Sequence, residues 1–288
     1  MLKIIIVFFV LLLLALFLNW SNKSLTVTKY VFQSPQVHDS FDGFRIVQVS
    51  DLQSEYFGSD QEELIDAVRQ SEPDIIVFTG DLVDRTHTDY EASLKAMEGL
   101  AKIAPVYYVN GNHELALPEE KIAQMYSAME EMGIKLLMGC RSSVERNGEK
   151  IYIAGLAEEA VLQSKESGQA EGQEFDKAVI DEEIEKLTGA VDEEDLVILL
   201  VHEPQLIEAY AGEKIDLVFA GHAHGGQIRL PFTEGLFAPG QGVLPKLTSG
   251  LHYCGQTGMI ISRGLGNSVF PFRVFNRPEI VVTQLKKA

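Results

Sequence analysis

Four short strings of residues, far apart in the chain, carry side chains that bind divalent metal ions. They are Asp51-Leu52-Gln53, Gly80-Asp81, Gly111-Asn112-His113 and Gly221-His222-Ala223-His224, and His202 lies between the last two. Carboxylate, amide and imidazole groups suit manganese, magnesium, iron or zinc, and the set offers no thiolate. There are enough ligands for two adjacent ions, which indicates hydrolysis of phosphate esters or anhydrides.

Each string follows an apolar run with the length and composition of a strand. The runs cover residues 44–50, 74–79, 106–109, 196–201 and 217–220. Open α/β sheets form their binding crevices at the carboxyl ends of strands. The common placement therefore predicts one shared metal site rather than five unrelated polar positions.

Other local patterns predict the elements between these strands. A strand is expected over residues 25–32, and capping boxes at Ser59/Glu62 and Thr88/Glu91 predict helices over residues 61–70 and 90–100. Pro118 predicts a helix start, and Asn147-Gly148 predicts a tight hairpin. A short helix over 205–210 and closing strands over 259–261 and 279–282 complete a mixed α/β pattern.

The first residues form an apolar segment that predicts a membrane anchor over residues 1–24. Residues 4–18 contain no polar side chain, and Trp20 and Lys23 follow where an interface would lie. A cleaved signal peptide is the alternative, but no small-x-small cleavage site follows. We place the domain of residues 25–288 on the extracytoplasmic side of the cell membrane, although Lys3 and the amino terminus balance the lysines beyond the segment.

The formal charge of −18 comes from 42 acidic and 24 basic residues. Residues 157–195 form an acidic insert, with 14 acidic residues against three lysines, which we interpret as a solvated surface excursion. A lid or docking surface is the alternative. No basic track is present to neutralise DNA phosphates, so nucleic acid is not an expected partner. Cys140 and Cys254 are interpreted as free thiols, although one disulfide would also fit.

The order of the ligand strings resembles that of the calcineurin-like metallophosphoesterases. The resemblance covers residues 44–285 and implies a four-layer α/β/β/α sandwich of two mixed sheets. It is strongest toward a membrane-associated bacterial branch, judged by residues 221–231, 262–266 and 277–280. That branch includes pyrophosphatases that cleave UDP-diacylglucosamine.

The resemblance implies a role for each ligand. Two metal ions would share a hydroxide that attacks phosphorus, with manganese the expected metal and magnesium, iron or zinc as alternatives. The first ion would be held by Asp51, Asp81, His224 and Gln53, and the second by Asp81, Asn112, His202 and His222. Gln53 stands where the family usually has histidine, and its weaker amide donor predicts a looser first site that prefers manganese or magnesium to zinc.

Three further residues receive catalytic roles from the resemblance. His113 would protonate the leaving group, Asp84 would raise the basicity of His113, and Arg85 would clamp a phosphate oxygen. A surface salt bridge is the alternative for Asp84 and Arg85. His38, His87 and His252 match no ligand position.

Three functions are compatible with these residues. The first is a phosphohydrolase of phosphodiester or pyrophosphate bonds that acts on a lipid-linked or membrane-associated substrate. The second is a protein or small-molecule phosphomonoesterase. The third is a catalytically silent metal-binding protein of the cell envelope. The sequence leaves the oligomeric state open.

Overall fold

Two six-stranded mixed sheets, described by a computed structural model, form the body of the domain. The structure describes residues 1–170, 172–212, 214–230, 233–267 and 270–288. Glu171 of the acidic insert and Pro231 of the 221–231 motif lie outside these residues. The strands are β1 Thr26–Ser34, β2 Arg45–Val49, β3 Ile75–Thr79, β4 Val106–Val109, β5 Lys135–Leu136, β6 Cys140–Arg146, β7 Glu149–Gly155, β8 Leu196–Leu200, β9 Leu217–Ala220, β10 Phe237–Ala238, β11 Gly242–Val243, β12 Gly250–Cys254, β13 Thr257–Ile261 and β14 Glu279–Lys287.

The helices lie mainly between these strands. They are α1 Leu2–Lys23, α2 Glu62–Gln70, α3 Tyr90–Ala101, α4 Asn112–Leu115, α5 Glu119–Glu131, α6 Glu158–Ala170, α7 Lys177–Thr188 and α8 Ile207–Tyr210. The first sheet has the order β1-β14-β2-β3-β4-β5, and the second has the order β12-β13-β9-β8-β7-β6. Strands β2 to β5 run parallel, as do β7, β8, β9 and β13, while β14, β6 and β12 provide the antiparallel pairings.

Three apolar cores define four layers. The central core lies between the sheets, where Val77 of the first sheet and Phe219 of the second are fully buried. A second core joins the first sheet to α2, α3 and α5. A third core joins the second sheet to α6, α7 and α8. The predicted α/β/β/α sandwich is confirmed.

The acidic insert forms part of this architecture. Helices α6 and α7 bury Val161, Ile180 and Leu187 against the second sheet, whereas most of their acidic side chains are exposed. The interpretation of residues 157–195 as a solvated surface excursion is wrong, because one face of each helix belongs to the third core.

The local sequence patterns predicted the hairpin correctly and the helix caps wrongly. Asn147 and Gly148 connect β6 to β7 with positive φ angles of 52° and 84°, as a tight hairpin requires. The predicted capping boxes are wrong: no side chain caps α2, and α3 is capped by Asp89, whose carboxylate accepts from the N–H of Ala92. Cys140 and Cys254 are free thiols.

Helix α1 precedes the sandwich. It has 22 residues and a mean hydropathy of 2.8 over its most apolar window, none of which is buried against the described protein. At about 1.5 Å per residue, such a helix is about 33 Å long, which is enough to cross a membrane.

Candidate metal centre

The ligand strings meet because the ends of five parallel strands face one another. Strands β2, β3 and β4 are neighbours in the first sheet, and β8 and β9 are neighbours in the second. Backbone hydrogen bonds lock the strings together, from Asp51 N–H to the Gly80 carbonyl, from Gln53 N–H to the Asp81 carbonyl and from Gly221 N–H to the His202 carbonyl, each 3.0 Å. Side chains from both sheets therefore converge on one point.

Glycine at two positions permits this close approach. A Cβ atom on Gly80, whose φ is 86°, would lie 2.9 Å from the backbone of Gly111. A Cβ atom on Gly111 would collide with Asp81. These contacts explain why two of the ligand strings begin with glycine.

The backbone of the ligands is also unusual. Five of the predicted metal ligands have left-handed φ angles of 45° to 64°. They are Asp51, Gln53, Asp81, His222 and His224. A non-glycine residue in this region costs about 1–3 kcal/mol, and such residues cluster at functional sites. The network of hydrogen bonds between the strings holds them in place.

The Asp81 carboxylate lies at the centre of the cluster, and the residue is 1% exposed. Its Oδ1 accepts a hydrogen bond of 2.9 Å from the N–H of His113. Its Oδ2 accepts from the Gln53 amide at 2.8 Å and lies 3.2 Å from Nε2 of His202. One oxygen is therefore held by the backbone while the other faces the remaining side chains.

Asp81 belongs to two groups of side chains whose ligand atoms lie within 4.8 Å of one another. One group is Asp81, His202 and His222, and the other is Asp51, Asp81 and His224. Asn112 lies beside the first of these groups, with its Oδ1 atom 3.1 Å from Nε2 of His202. The predicted ligands are therefore neighbours in space, and the assignment of each to one of two ions stays a prediction.

Backbone carbonyls orient the rings of two of the predicted ligand histidines. Nδ1 of His202 lies 2.8 Å from the carbonyl of Thr79, and Nδ1 of His224 lies 3.2 Å from the carbonyl of Gly266. A carbonyl only accepts hydrogen bonds, so Nδ1 of His202 carries a proton and its Nε2 is directed at the cluster, where loss of the Nε2 proton would leave a lone pair for a cation. Nδ1 of His224 lies between the Gly266 carbonyl and the Arg273 guanidinium, and its Nε2 also faces the cluster. Nδ1 of His222 lies 3.0 Å from Nε2 of His202, an arrangement that calls for a cation or proton between the two nitrogens.

His113 has the opposite tautomer. The N–H of Arg85 donates to its Nδ1 at 3.2 Å, so a neutral ring carries its proton on Nε2. That Nε2 lies 3.9 Å from Oδ2 of Asp81 and therefore faces the cluster. His113 is oriented as a proton donor, whereas His202 and His224 are oriented as ligands.

The charges of the cluster favour cation binding. Burial raises the pKa of Asp81, but His202, His113 and His222 outweigh it, and the net pKa lies well below the usual range. Burial lowers the pKa of His222 to about 4, so this ring is neutral at pH 7. Burial also lowers the pKa of His202, but the nearby carboxylates, Asp81 first, reverse the shift and raise it. Positive charge is attracted to the point where His202 and Asp81 meet.

Gln53 supplies a separate sign that a metal fits here. Its amide nitrogen donates to Asp81, but its Oε1 is buried without a hydrogen-bond partner among the described residues. An unpaired buried oxygen costs about 1–3 kcal/mol unless something binds it. A hard divalent cation is the partner that this oxygen and the neighbouring carboxylates suit.

The three predicted catalytic residues are adjacent, but their contacts differ from expectation. Asp84 Oδ2 lies 3.8 Å from Nδ1 of His113, beyond hydrogen-bonding distance. Its Oδ1 accepts from Thr86 and His87, and it shapes the turn that aims the Arg85 N–H at His113. The Arg85 side chain is exposed. To bind a phosphate oxygen as predicted, it would have to extend toward the site.

Two buried titratable residues, Glu114 and Arg273, support the site from behind. Glu114 accepts hydrogen bonds from the N–H groups of Asp81, Val83 and Gly111 and so fixes two ligand strings. Burial, with Asp81 adding to it, raises the pKa of Glu114 to about 8. Arg273, which sequence reasoning missed, is fully buried with Nη2 3.3 Å from Nδ1 of His224. The only sequence signal for it is an arginine among apolar residues 270–275.

Other histidines and arginines lie outside the cluster. His252 lies 2.9 Å from the Ser249 carbonyl, and His38 lies near Glu149 and Asp195. Arg229 donates to Ser249 and Glu234, and Arg263 pairs with Glu279. His87 is exposed. None of these side chains belongs to the two ligand groups.

Two adjoining ligand groups that share a carboxylate, beside an imidazole with a proton to donate, define a metal-dependent hydrolase of phosphate esters. The comparison of sequences agrees. Residues 44–226 match the family described as calcineurin-like phosphoesterase, and the chain belongs to that family. Enzymes of this family use two divalent metal ions, and the clustered residues could bind them.

Three relatives illustrate the family. The chain is 31% identical to the uncharacterized metallophosphoesterase YkuE of Bacillus subtilis, over 90% of this chain and 85% of that protein. It is 25% identical to phosphodiesterase YaeI of Escherichia coli, over 75% of this chain and 72% of that protein. It is 24% identical to a Danio rerio transmembrane protein with a metallophosphoesterase domain, over 87% of this chain and 55% of that protein.

Metal binding is expected to stabilise the folded protein. Mn²⁺ at about 100 times its dissociation constant adds about 2.7 kcal/mol, which raises Tm by about 5 °C. Asp81→Asn removes the shared carboxylate and most of this shift. Asp216→Asn is the matched control, because Asp216 is a partly buried carboxylate that accepts from Val197 N–H at the opposite end of β9. Equal shifts in both variants, measured by differential scanning calorimetry, would contradict the assignment of Asp81.

Gln53 is expected to set the metal preference. Gln53→His offers an imidazole nitrogen and should shift the binding preference from manganese toward zinc. Gln53→Leu offers no ligand atom and should weaken the binding of one of the two ions. Isothermal titration and elemental analysis of the purified proteins measure affinity and occupancy. Unchanged affinity and selectivity in both variants would show that the amide oxygen is not a ligand.

Proposed function

We propose that this chain is a membrane-anchored phosphohydrolase with two metal ions that cleaves a phosphodiester or pyrophosphate bond in a lipid-linked substrate. Residues 1–24 would be the anchor and residues 25–288 the catalytic domain. We also propose that the chain belongs to the membrane-associated branch that resembles UDP-diacylglucosamine pyrophosphatases. The single observation that carries the hydrolytic part is the position of Asp81 in both ligand groups.

Asp51, Gln53, Asp81 and His224 would hold one ion, and Asp81, Asn112, His202 and His222 the other. When bound, the pair of ions would polarise phosphoryl oxygens and lower the pKa of water. Backbone groups next to the ligands fix the geometry, since the carbonyls of Thr79 and Gly266 hold the rings of His202 and His224. Asp84 would act as a positioning residue for His113, through the turn that carries the Arg85 N–H.

His113 would donate a proton to the leaving-group oxygen. Its Nε2 carries a proton in the neutral ring and faces the cluster, and its Nδ1 is held by a backbone N–H. The leaving alkoxide or phosphate is stabilised when this proton arrives as its bond to phosphorus breaks. The exposed Arg85 guanidinium would bind a non-bridging phosphate oxygen.

The lipid-linked substrate is supported by contacts between the apolar helix and the site. Asn22 of α1 accepts from the N–H of Arg273 at 2.8 Å and donates to its carbonyl at 3.3 Å. The same arginine reaches His224 through its guanidinium. A metal ligand is thus two contacts from the end of a helix that is apolar enough to cross a bilayer. Phosphate groups of membrane lipids lie at that level.

Hydrolysis of bis-p-nitrophenyl phosphate with Mn²⁺ tests the chemistry. His113→Ala should lower kcat by about 10²- to 10⁴-fold while metal content stays the same, because His113 donates a proton and is not a ligand. His252→Ala is the matched control, since this ring lies outside the ligand groups. Faster turnover of phosphomonoesters or phosphopeptides would favour the phosphomonoesterase, and no metal-dependent turnover would favour the silent protein.

The extracytoplasmic placement can be tested with the protein's own thiol. Cys140 is exposed, and Cys254→Ser leaves it as the single cysteine. In intact cells that make this variant, a membrane-impermeant maleimide should label Cys140 as fully as in permeabilised cells. Labelling that requires permeabilisation would place the domain in the cytoplasm.

A further inference from the structure

Several apolar side chains are exposed on the loop that contacts α1 and on the hairpin that shares a cavity with this loop. The seven are Leu230, Phe237, Val243, Leu244, Phe270, Phe272 and Phe275, which we call the apolar edge. Three are phenylalanines within six residues, and their exposed fractions are 46%, 46% and 60%. Contiguous exposed apolar side chains mark a surface that meets a partner or a membrane.

The apolar edge is continuous. Phe237 of β10 pairs with Val243 of β11, and the N–H of Leu244 donates to the carbonyl of Leu236. Phe237 and Phe270 line a cavity of about 260 Å³ together with Ile228, Leu236 and Pro239. Leu230 and Phe275 line a second, shallow cavity. The hairpin and the 270–275 loop therefore form one surface.

This surface is joined directly to the apolar helix. The ring centroids of Phe275 and Phe17 are 5.0 Å apart, and Arg277 lies over the ring of Trp20 at 5.0 Å. The Asn22 side chain is hydrogen-bonded to both the N–H and the carbonyl of Arg273. The Asn267 amide donates to Asn22 at 3.1 Å. The loop is fixed to the helix by polar bonds at residue 22 and by aromatic packing at residue 17.

The register of these contacts sets a depth. Tryptophan prefers the membrane interface, so Trp20 marks that level on α1. Phe17 lies three residues before it, or about 4.5 Å further into the membrane for an upright helix at about 1.5 Å per residue. Phe275 packs against Phe17 and must lie at the same depth. Apolar side chains inserted about 5–10 Å at the boundary of head groups and acyl chains are typical of interfacial contacts.

We propose that the apolar edge inserts into the phospholipid bilayer and forms a second membrane contact beside helix α1. The partner is the acyl-chain region of the bilayer. The apolar cavity beside Phe270 would hold a lipid acyl chain next to the metal cluster. The wall of that cavity includes Gly226, two residues after His224, so the cavity lies within about 7 Å of a ligand along the backbone. This inference rests on the proposed anchor but not on the proposed chemistry.

The single tryptophan of the chain allows a direct test in the full-length protein. In a Trp20→Phe background, Phe272→Trp places the reporter on the apolar edge. The protein is reconstituted in phosphatidylcholine vesicles whose acyl chains are brominated near the head group or near the middle. The indole introduced at position 272 should lose emission in the brominated vesicles, more with bromine near the head group, and its emission maximum should shift to the blue.

Tyr253→Trp in the same background is the matched control. Tyr253 is 59% exposed and pairs with Gly258 near the amino-terminal end of β13, whereas the metal cluster lies at the carboxyl ends of the strands. Its emission should stay unchanged in brominated vesicles. Phe270→Trp is a second reporter on the apolar edge if the first variant does not fold, as checked by circular dichroism.

The wild-type protein separates the two ways to fail. Quenching of Trp20 in the wild type with none at positions 270 and 272 would overturn the second contact and leave the anchor intact. Absence of quenching at Trp20 as well would overturn the anchor and the inference together. Equal quenching at positions 253 and 272 would also overturn the inference, because the apolar edge would then be no closer to lipid than the opposite end of the domain.

Discussion

The buried carboxylate of Asp81 is the interaction on which the rest of the site depends. A buried ionised carboxylate is costly unless hydrogen bonds and positive charge compensate it. Its partners come from both sheets: His113 N–H and the Gln53 amide from the first, and His202 from the second. The two sheets must therefore pack so that the end of β3 faces the end of β8. Glycine at position 80 makes that possible, because a Cβ atom there would lie 2.5 Å from Nδ1 of His202.

The same residue type performs two different tasks around this carboxylate because the rings meet different backbone groups. A carbonyl beside Nδ1 of His202 leaves Nε2 free to bind a cation. An N–H beside Nδ1 of His113 leaves a proton on Nε2. The side-chain chemistry is identical, so the proposed distinction between ligand and proton donor would be made by the strand ends and turns that hold the rings.

The fold and the clustering of the candidate ligands could be predicted because both depend on local patterns. Apolar runs of strand length located β2, β3, β4, β8 and β9, and the polar residues after them proved to be neighbours. The contact of Asp84 with His113 could not be predicted, since a turn of four residues decides it. The acidic insert was misinterpreted because charge dominates its composition. The spacing of Ile180, Ile184 and Leu187 carries the helical period that places α7 on the second sheet.

Asn22 and Arg273 escaped prediction because they are 251 residues apart and match no motif. Their contact bears on whether α1 is a signal peptide or an anchor. Cleavage after α1 would remove the Asn22 side chain that pairs with both backbone groups of Arg273. It would also remove Phe17, on which the ring of Phe275 packs. An unpaired buried backbone group costs about 1–3 kcal/mol. The guanidinium of the same arginine lies against His224, so the disturbance would reach a metal ligand. These contacts favour a helix that stays attached to the domain, and they join α1 to the residues around His224.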